Sequence, residues 1–190
     1  MSWGIASFLP HRRGYGASEG LGWREEASAP YGTEEYDRQL ATRLDSESDD
    51  IIAALGVVAG LPEIDPRHIG VMGSSFGGTT TLLAASKTDR FTCAIDFAGA
   101  AMNWDRTPAL RQLMTAAALR LTMPVFFIQA QNDYSIRPTL ELAAALEGKK
   151  VMQSRVFPAF GVNNHEGHLL ESRGPAVWAA EVRRFLERHL

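Results

Sequence analysis

The chain has 190 residues, of which 45% are hydrophobic and 22% are charged, and its formal net charge is −3. This weakly acidic balance excludes the basic surface that nucleic-acid binding requires, and no apolar run has the length needed to span a bilayer. We therefore expect one domain over residues 1–190, with neither nucleic acid nor a membrane as a partner.

The first predicted elements are a strand, a loop and a long helix. The apolar residues 5–9 predict a strand that Pro10 closes, and a loop punctuated by glycine follows. Thr33 is typical of a helix N-cap because two glutamates follow it in the first turn. We predict that this helix turns its apolar side chains inward and ends near Gly60.

The next elements meet in a G-x-S-x-G turn, which is the most informative feature of the sequence. Residues 68–72 predict a short buried strand, and a helix begins directly after the turn. In such a turn the serine hydroxyl is exposed above the edge of the sheet, and Gly73 and Gly77 lack the Cβ atoms that would collide with neighbouring backbone. The sequence therefore predicts Ser75 as a nucleophile.

Strands and helices continue to alternate in the rest of the chain. Three more strands are predicted over residues 94–97, 124–130 and 154–157, and Pro175 opens a last amphipathic helix. This alternation predicts an α/β fold with a mostly parallel sheet of about five strands and helices on both faces. In such sheets the functional residues gather beyond the carboxyl ends of the strands.

Three candidate catalytic residues follow predicted strands. A serine hydroxyl is a poor nucleophile at neutral pH, so Ser75 needs a base, and the imidazole of His168 is suited to that role. The imidazole needs a carboxylate to fix its tautomer, which Asp133 supplies directly after the longest apolar strand. The order of serine, acid and histidine along the chain is the one expected for this fold.

Each of the two partners of Ser75 has a competitor. His165 lies three residues before His168, but we interpret it as a solvated loop residue. Asp96 ends a predicted strand and is the alternative acid, although we favour Asp133, because an unpaired carboxylate after that apolar strand would be costly. No spacing of histidines and acids predicts a metal site, and we expect no cofactor.

Separated motifs link the sequence to a known family; they are PHRRGYG (residues 10–16), DPRHIGVMGSSFGG (65–78), QAQND (129–133) and EGH (166–168). Together they resemble α/β-hydrolases of the dienelactone-hydrolase-like type, and the similarity runs over nearly the whole chain. The resemblance implies Ser75 as nucleophile, Asp133 as acid and His168 as base. Dienelactone hydrolases proper use a cysteine nucleophile, so the serine implies a general carboxylesterase.

The resemblance also identifies a departure at the N-terminus. Family members begin with further strands, one of which ends in a His-Gly loop that supplies an oxyanion-hole amide, and this sequence starts after that point. We predict that the Phe76 N–H supplies one oxyanion donor. We predict the other from the N–H groups of His11 or Arg12, because a direct strand-helix-strand crossover would pair residues 5–9 with the Ser75 strand.

The sequence further predicts the substrate pocket and the oligomeric state. Trp104 and Met114 would form the wall of the acyl pocket and Tyr134 its entrance, although core packing explains the first two residues equally well. The segment that contains them is too short for a large lid, so we expect small, water-soluble esters. The apolar edge at residues 2–9 predicts a homodimer.

The compartment follows from the N-terminus and from the cysteine content. The first residues lack a basic segment followed by an apolar stretch, which is the pattern of a secretory signal. Cys93 is the single cysteine and lies in an apolar run, so it is typical of a core residue. We expect a cytoplasmic protein.

The function predicted from these features is that of a serine carboxylesterase acting through an acyl-enzyme. A peptidase or an acyltransferase would use the same triad, so the sequence does not separate them from an esterase. A third hypothesis is a truncated hydrolase fold of low activity that serves as a binding module. The candidate triad argues against this hypothesis, and the missing N-terminal strands argue for it.

Overall fold

Helices and strands alternate along most of the chain in the computed structural model, which describes residues 3–149 and 152–190. The helices are α1 (Trp23–Glu26), α2 (Glu34–Val58), α3 (Phe76–Ala85), α4 (Pro108–Arg120), α5 (Arg137–Ala145), α6 (Asn164–His168), α7 (Leu170–Arg173) and α8 (Pro175–His189). The strands are β1 (Val71–Ser74), β2 (Ala94–Phe97), β3 (Val125–Ala130) and β4 (Met152–Phe157).

The long helix α2 begins where the sequence predicts. The Thr33 side chain accepts a hydrogen bond from the Tyr36 N–H at 3.1 Å. This contact confirms Thr33 as the N-cap and satisfies one of the donors that the first helical turn leaves free. The helix ends at Val58, shortly before the predicted stop at Gly60.

The strands form one parallel sheet in the order β1-β2-β3-β4. Ala94 lies opposite Val71 in β1 and Val125 in β3, and Val125 lies opposite Met152 in β4. Parallel neighbours need crossover connections, which α3, α4 and α5 provide. The predicted α/β class with a parallel sheet is confirmed, and all the carboxyl ends of the strands lie at one edge.

The strand predicted over residues 5–9 is absent from this sheet. Ile5, Phe8 and Leu9 are exposed, and their segment belongs to no strand. A strand needs a partner for its backbone N–H and C=O groups, and among the described residues β1 pairs only with β2. The described sheet thus has four strands rather than about five. The dimer predicted through residues 2–9, of which Ser2 lies outside the described residues, lacks its edge strand.

Two apolar layers enclose the sheet, as the sequence predicts. On one face, α2, α3 and α4 pack on side chains such as Phe127, and on the other face α8 packs on Phe126 and Ile128. Phe126 and Phe127 are both fully buried. They pack in opposite layers because successive side chains of a strand point to opposite faces of the sheet.

A buried arginine fastens the N-terminal loop to α2. The guanidinium of Arg43 donates to Glu47 at 2.8 Å, to Glu26 at 2.6 Å, and to the carbonyl oxygens of Leu21 and Arg13 at 2.8 and 2.7 Å. The side chains of Arg43 and Glu47 are both 0% exposed. The loop before α1 is therefore held by ion pairs and backbone contacts rather than by a strand ladder.

A further ion pair, between Arg13 and Asp50, extends this attachment toward the surface. The Arg13 guanidinium donates to both carboxylate oxygens of Asp50, at 2.9 and 2.5 Å. Burial alone would raise the pKa of Asp50, but the hydrogen bonds from Arg13 outweigh that effect and hold the pKa below its ordinary value.

Replacing the buried arginine should destabilise the protein strongly. Arg43→Met leaves Glu47 buried with fewer partners, and removing one member of a buried ion pair costs about 3–5 kcal/mol. We expect a loss of this size in the free energy of unfolding, measured by urea denaturation. In the matched control Arg38→Met, the lost pair with Glu35 is exposed and should cost at most about 1 kcal/mol. Equal losses in the two variants would contradict the structural role of Arg43.

Candidate active site

Ser75 occupies the sharp turn between β1 and α3. Its φ is 57° and its ψ is −120°, a conformation that costs a non-glycine residue about 1–3 kcal/mol. The Ser75 N–H donates to the Phe97 carbonyl in β2 at 2.8 Å, and the Ser75 carbonyl accepts from the Thr79 N–H at 3.0 Å. The sheet and the helix thus hold the strained turn in place from both sides.

The glycines around Ser75 allow close approaches by different neighbouring atoms. A Cβ atom on Gly73 would lie far inside van der Waals contact of the Gly77 carbonyl, as predicted. The prediction for Gly77 itself is wrong, since a Cβ atom there would meet open space. The second position that requires a glycine is Gly78, because a Cβ atom there would collide with the Asp96 carboxylate. This close approach of α3 to β2 depends on tertiary packing, so the G-x-S-x-G pattern does not reveal it.

The three predicted triad residues come together at the carboxyl edge of the sheet. His168 Nε2 lies 2.9 Å from Ser75 Oγ, and His168 Nδ1 lies 2.9 Å from Asp133 Oδ1. The side chains of His168 and Asp133 are 9% and 0% exposed. When Nδ1 carries the imidazole proton and donates it to Asp133, Nε2 is free to accept the Ser75 hydroxyl proton.

The acid is held by contacts beyond the histidine. Asp133 Oδ1 also accepts the Tyr134 N–H at 2.6 Å, and Oδ2 accepts a hydrogen bond from Gln129 Nε2 at 2.9 Å. Gln129 is not among the residues that the sequence predicts for the site. Its signal was a polar amide inside the otherwise apolar strand β3, four residues before the acid.

Asn132 connects the turn that contains Asp133 to the loop that precedes His168. Its Nδ2 donates to the carbonyl oxygens of Phe160 and Asn163 at 3.0 and 2.9 Å, and its Oδ1 accepts the Phe160 N–H at 2.8 Å. A Cβ atom on Gly167 would collide with Asn132. The asparagine before the acid therefore fixes the approach of α6, which carries His168. Sequence reasoning missed this role because the partners are 28 or more positions away.

The competing base and acid lie elsewhere. His165 is exposed, and its Nδ1 is 3.5 Å from the Tyr134 hydroxyl. Asp96 is 3% exposed, and its Oδ1 accepts the Gly99 N–H at 2.8 Å. The structure thus brings His168 to Ser75 and Asp133 to His168. It keeps Asp96 beneath α3 instead.

Burial raises the pKa of Asp96 to about 7, against the opposing effect of the Gly99 hydrogen bond. Because the folded-state pKa lies above the ordinary value of 3.8, the stability contribution of this carboxyl is full below about pH 3.8. It decreases as the pH rises and is lost once the pH passes about 7.

Asp96→Asn should therefore remove a pH dependence of stability. Asparagine does not ionise, and its oxygen still accepts the Gly99 N–H. The native chain should lose up to about 4 kcal/mol relative to the variant between pH 4 and pH 8. Urea denaturation at both pH values measures this difference. A difference between the two proteins that stays constant with pH would contradict the buried ionisation.

The two predicted sources of oxyanion donors differ in their structural support. Phe76 is the first residue of α3, so its N–H is one of the four that have no partner within the helix. His11 and Arg12 were predicted as donors because residues 5–9 would pair with β1, and that pairing is wrong. The Arg12 guanidinium binds Glu47 at 2.6 Å and lies 6.0 Å from the centroid of the Phe76 ring. The assignment of the backbone N–H groups of His11 or Arg12 as donors stays a prediction.

The predicted pocket residues are only partly at the surface. Trp104 and Met114 are 0% exposed and belong to the core on the α2 side of the sheet. Their prediction as a wall of the acyl pocket is wrong, because close packing leaves them no surface for a ligand. Tyr134 is 38% exposed, and its ring centroid lies 5.5 Å from that of His168. Its role at the entrance of a substrate pocket stays a prediction.

The described residues form neither a metal site nor a membrane-spanning helix. Within them, no group of three or more histidine, cysteine, aspartate or glutamate side chains has the arrangement needed to hold a metal ion. No helix in the same part of the chain combines the length and apolar character needed to cross a membrane.

The sequence profile of the prolyl oligopeptidase family matches residues 1–110, which is more than half of the 190 residues. The chain belongs to the prolyl oligopeptidase family. The matched segment contains Ser75 but ends before Asp133 and His168, so their assignment depends on the geometry described above. The comparison with curated proteins gives no match. The dienelactone-hydrolase-like subtype stays a prediction.

Solved structures share the α/β-hydrolase fold of this member of the prolyl oligopeptidase family. Porphyromonas gingivalis dipeptidyl peptidase 4 gives a TM-score of 0.61 at 20% identity, over 83% of this chain and 25% of that chain. Pyrococcus horikoshii acylaminoacyl peptidase gives 0.59 at 20% identity, over 76% and 28%. A cold-adapted esterase from an Arctic intertidal metagenomic library gives 0.59 at 21% identity, over 86% and 67%. The chain thus spans about a quarter of the length of the two peptidases.

Proposed function

We propose that the chain is a serine hydrolase that cleaves small carboxylic esters through an acyl-enzyme on Ser75. The observation that carries this proposal is the continuous contact from Ser75 Oγ through His168 to Asp133, with both distances at 2.9 Å. Family membership supports the same class of chemistry.

The mechanism follows from this geometry. Ser75 Oγ attacks the ester carbonyl carbon while its proton passes to His168 Nε2, and Asp133 stabilises the imidazolium that forms. The imidazolium then donates its proton to the leaving alkoxide as the ester C–O bond breaks. Water attacks the resulting acyl-enzyme, with His168 again as the base, and the acid product leaves Ser75 with its hydroxyl restored.

The negative charge on the tetrahedral intermediate needs hydrogen-bond donors. The Phe76 N–H supplies one donor at the positive end of the α3 dipole. A missing oxyanion donor costs about 2.7–4 kcal/mol in the transition state. Esters have a better leaving group than amides and depend less on the stabilisation of this charge, which favours esters as substrates.

Peptide-bond cleavage is the second candidate function. It is favoured by the family and by the peptidases among the structures with the same fold. The triad chemistry is the same for both substrates, so the difference lies in the leaving group and in the completeness of the oxyanion hole.

A comparison of two chromogenic substrates separates these functions. We expect the native chain to hydrolyse p-nitrophenyl acetate and to leave N-acetylalanine p-nitroanilide nearly untouched, with Ser75→Ala as the blank for both. Faster cleavage of the anilide would replace the esterase proposal with the peptidase one. Hydrolysis of neither substrate above the blank would contradict both and favour the binding-module hypothesis.

A further inference from the structure

Gln129 is a buried amide inside β3 that contacts the turn of the proposed acid. It is 1% exposed. Its Nε2 donates to Asp133 Oδ2 at 2.9 Å and to the Ser135 carbonyl at 2.7 Å. Both acceptors lie beyond the end of the strand, so one amide group bridges the strand and the turn that follows it.

The other end of this amide is unsatisfied. Among the described residues, Gln129 Oε1 is the one buried side-chain nitrogen or oxygen atom without a hydrogen-bond partner. A buried polar atom left unpaired costs about 1–3 kcal/mol, and an apolar side chain such as methionine would avoid this cost. The contribution of Gln129 therefore has to come from its Nε2 contacts.

The orientation of the amide is fixed by its neighbours. Turning it over would place Oε1 against the Asp133 carboxylate and the Ser135 carbonyl, both of which are acceptors. The observed orientation is the one in which Nε2 meets both of them.

We propose that Gln129 is a positioning residue that holds the Asp133 carboxylate in the rotamer needed to orient His168. Asp133 Oδ1 accepts from His168 Nδ1 and from the Tyr134 N–H. Gln129 holds the second oxygen, so the carboxylate cannot rotate away from the imidazole. The contact keeps Nε2 of His168 aimed at Ser75. This inference rests on the proposed function, since it concerns the same triad.

Two variants and one matched control test this role. Gln129→Met has a similar shape and no donor, and Gln129→Glu is nearly isosteric with an acceptor in place of the donor. Gln131→Met makes the same change at an exposed position two residues further along. We expect kcat for p-nitrophenyl acetate to fall about 10- to 100-fold in both Gln129 variants, with KM unchanged. The Gln131 control should keep the native kcat.

A second measurement tests the positioning role without substrate turnover. The proton on His168 Nδ1, hydrogen-bonded to Asp133, should give a far-downfield ¹H NMR resonance. We expect this resonance to shift or broaden in both Gln129 variants and to stay in place in the control. If hydrolysis were absent from the native chain, the resonance would still test the positioning role while the kinetic result counted against the proposed function.

Two results would overturn the positioning role of Gln129. A kcat within twofold of the native value, together with an unmoved resonance, would overturn the inference for Gln129. A loss of activity that appears in KM alone would also overturn it, because that pattern indicates a change in substrate binding rather than in the orientation of the base. If Gln129→Met fails to fold, the isosteric glutamate variant decides the question.

Discussion

Ser75→Ala should lower kcat for p-nitrophenyl acetate by at least about 10⁴-fold. The alanine has no hydroxyl to attack the carbonyl carbon, so no acyl-enzyme forms. The variant should otherwise keep its fold, because the strained turn is held by backbone contacts with Phe97 and Thr79 that do not involve the Ser75 hydroxyl. Initial rates of nitrophenolate release measure the loss.

Ser74→Ala provides the matched control for this experiment. Ser74 is the last residue of β1 and directly precedes the nucleophile, but the ring nitrogens of His168 bond to Ser75 and Asp133. Its variant should hydrolyse the ester at the native rate. Activity that survives in Ser75→Ala, or that disappears equally in Ser74→Ala, would contradict the assignment of the nucleophile.

Asp133→Asn should lower kcat by about 10⁴-fold. The aspartate accepts from His168 and Tyr134 through Oδ1 and from Gln129 through Oδ2. An asparagine has one donor group, so in either orientation its amide nitrogen faces another donor. If that nitrogen faces His168, the imidazole has to accept at Nδ1 and carries its proton on Nε2. It then has no acceptor for the Ser75 proton. Steady-state kinetics near neutral pH measure the loss.

The same substitution at the competing acid gives the control. Asp96 contacts Gly99 and lies beneath α3, so Asp96→Asn should remove a pH dependence of stability and leave kcat near the native value at neutral pH. A large loss of kcat in Asp96→Asn together with a small loss in Asp133→Asn would reverse the assignment of the acid.

The sequence was sufficient wherever a short segment determines its own structure. The turn around Ser75 follows from local backbone sterics, and the apolar runs of β2 and β3 follow from their burial on both faces. Because the carboxyl ends of parallel strands meet at one edge, the positions of Asp133 and His168 after such strands also predicted their approach to Ser75.

The sequence was insufficient wherever a distant segment decides the outcome. Residues 5–9 have the composition of a strand, but a strand also needs a neighbouring edge, and β1 does not pair with them. Trp104 follows β2 as a pocket residue would, yet packing draws it into the core, where its Nε1 donates to Glu141 at 2.9 Å. Composition carries no information about such partners.

The roles of the residues that support the triad could not be predicted from the sequence for the same reason. Gln129 and Asn132 act through side-chain hydrogen bonds whose partners come within reach only when the turn that contains Asp133 and the loop that precedes His168 have folded together. An amide in an apolar strand is a signal that something polar lies beside it, but the sequence does not say what.

A single labelling reaction tests whether Ser75, His168 and Asp133 form one active site. The native chain is treated with a fluorophosphonate, and peptide mapping by mass spectrometry locates the adduct. A hydroxyl activated by His168 should form one covalent adduct, on Ser75, and the His168→Ala variant should remain unlabelled under the same conditions. An intact, folded native chain that forms no adduct, or that carries it on another residue, would contradict the proposed active site.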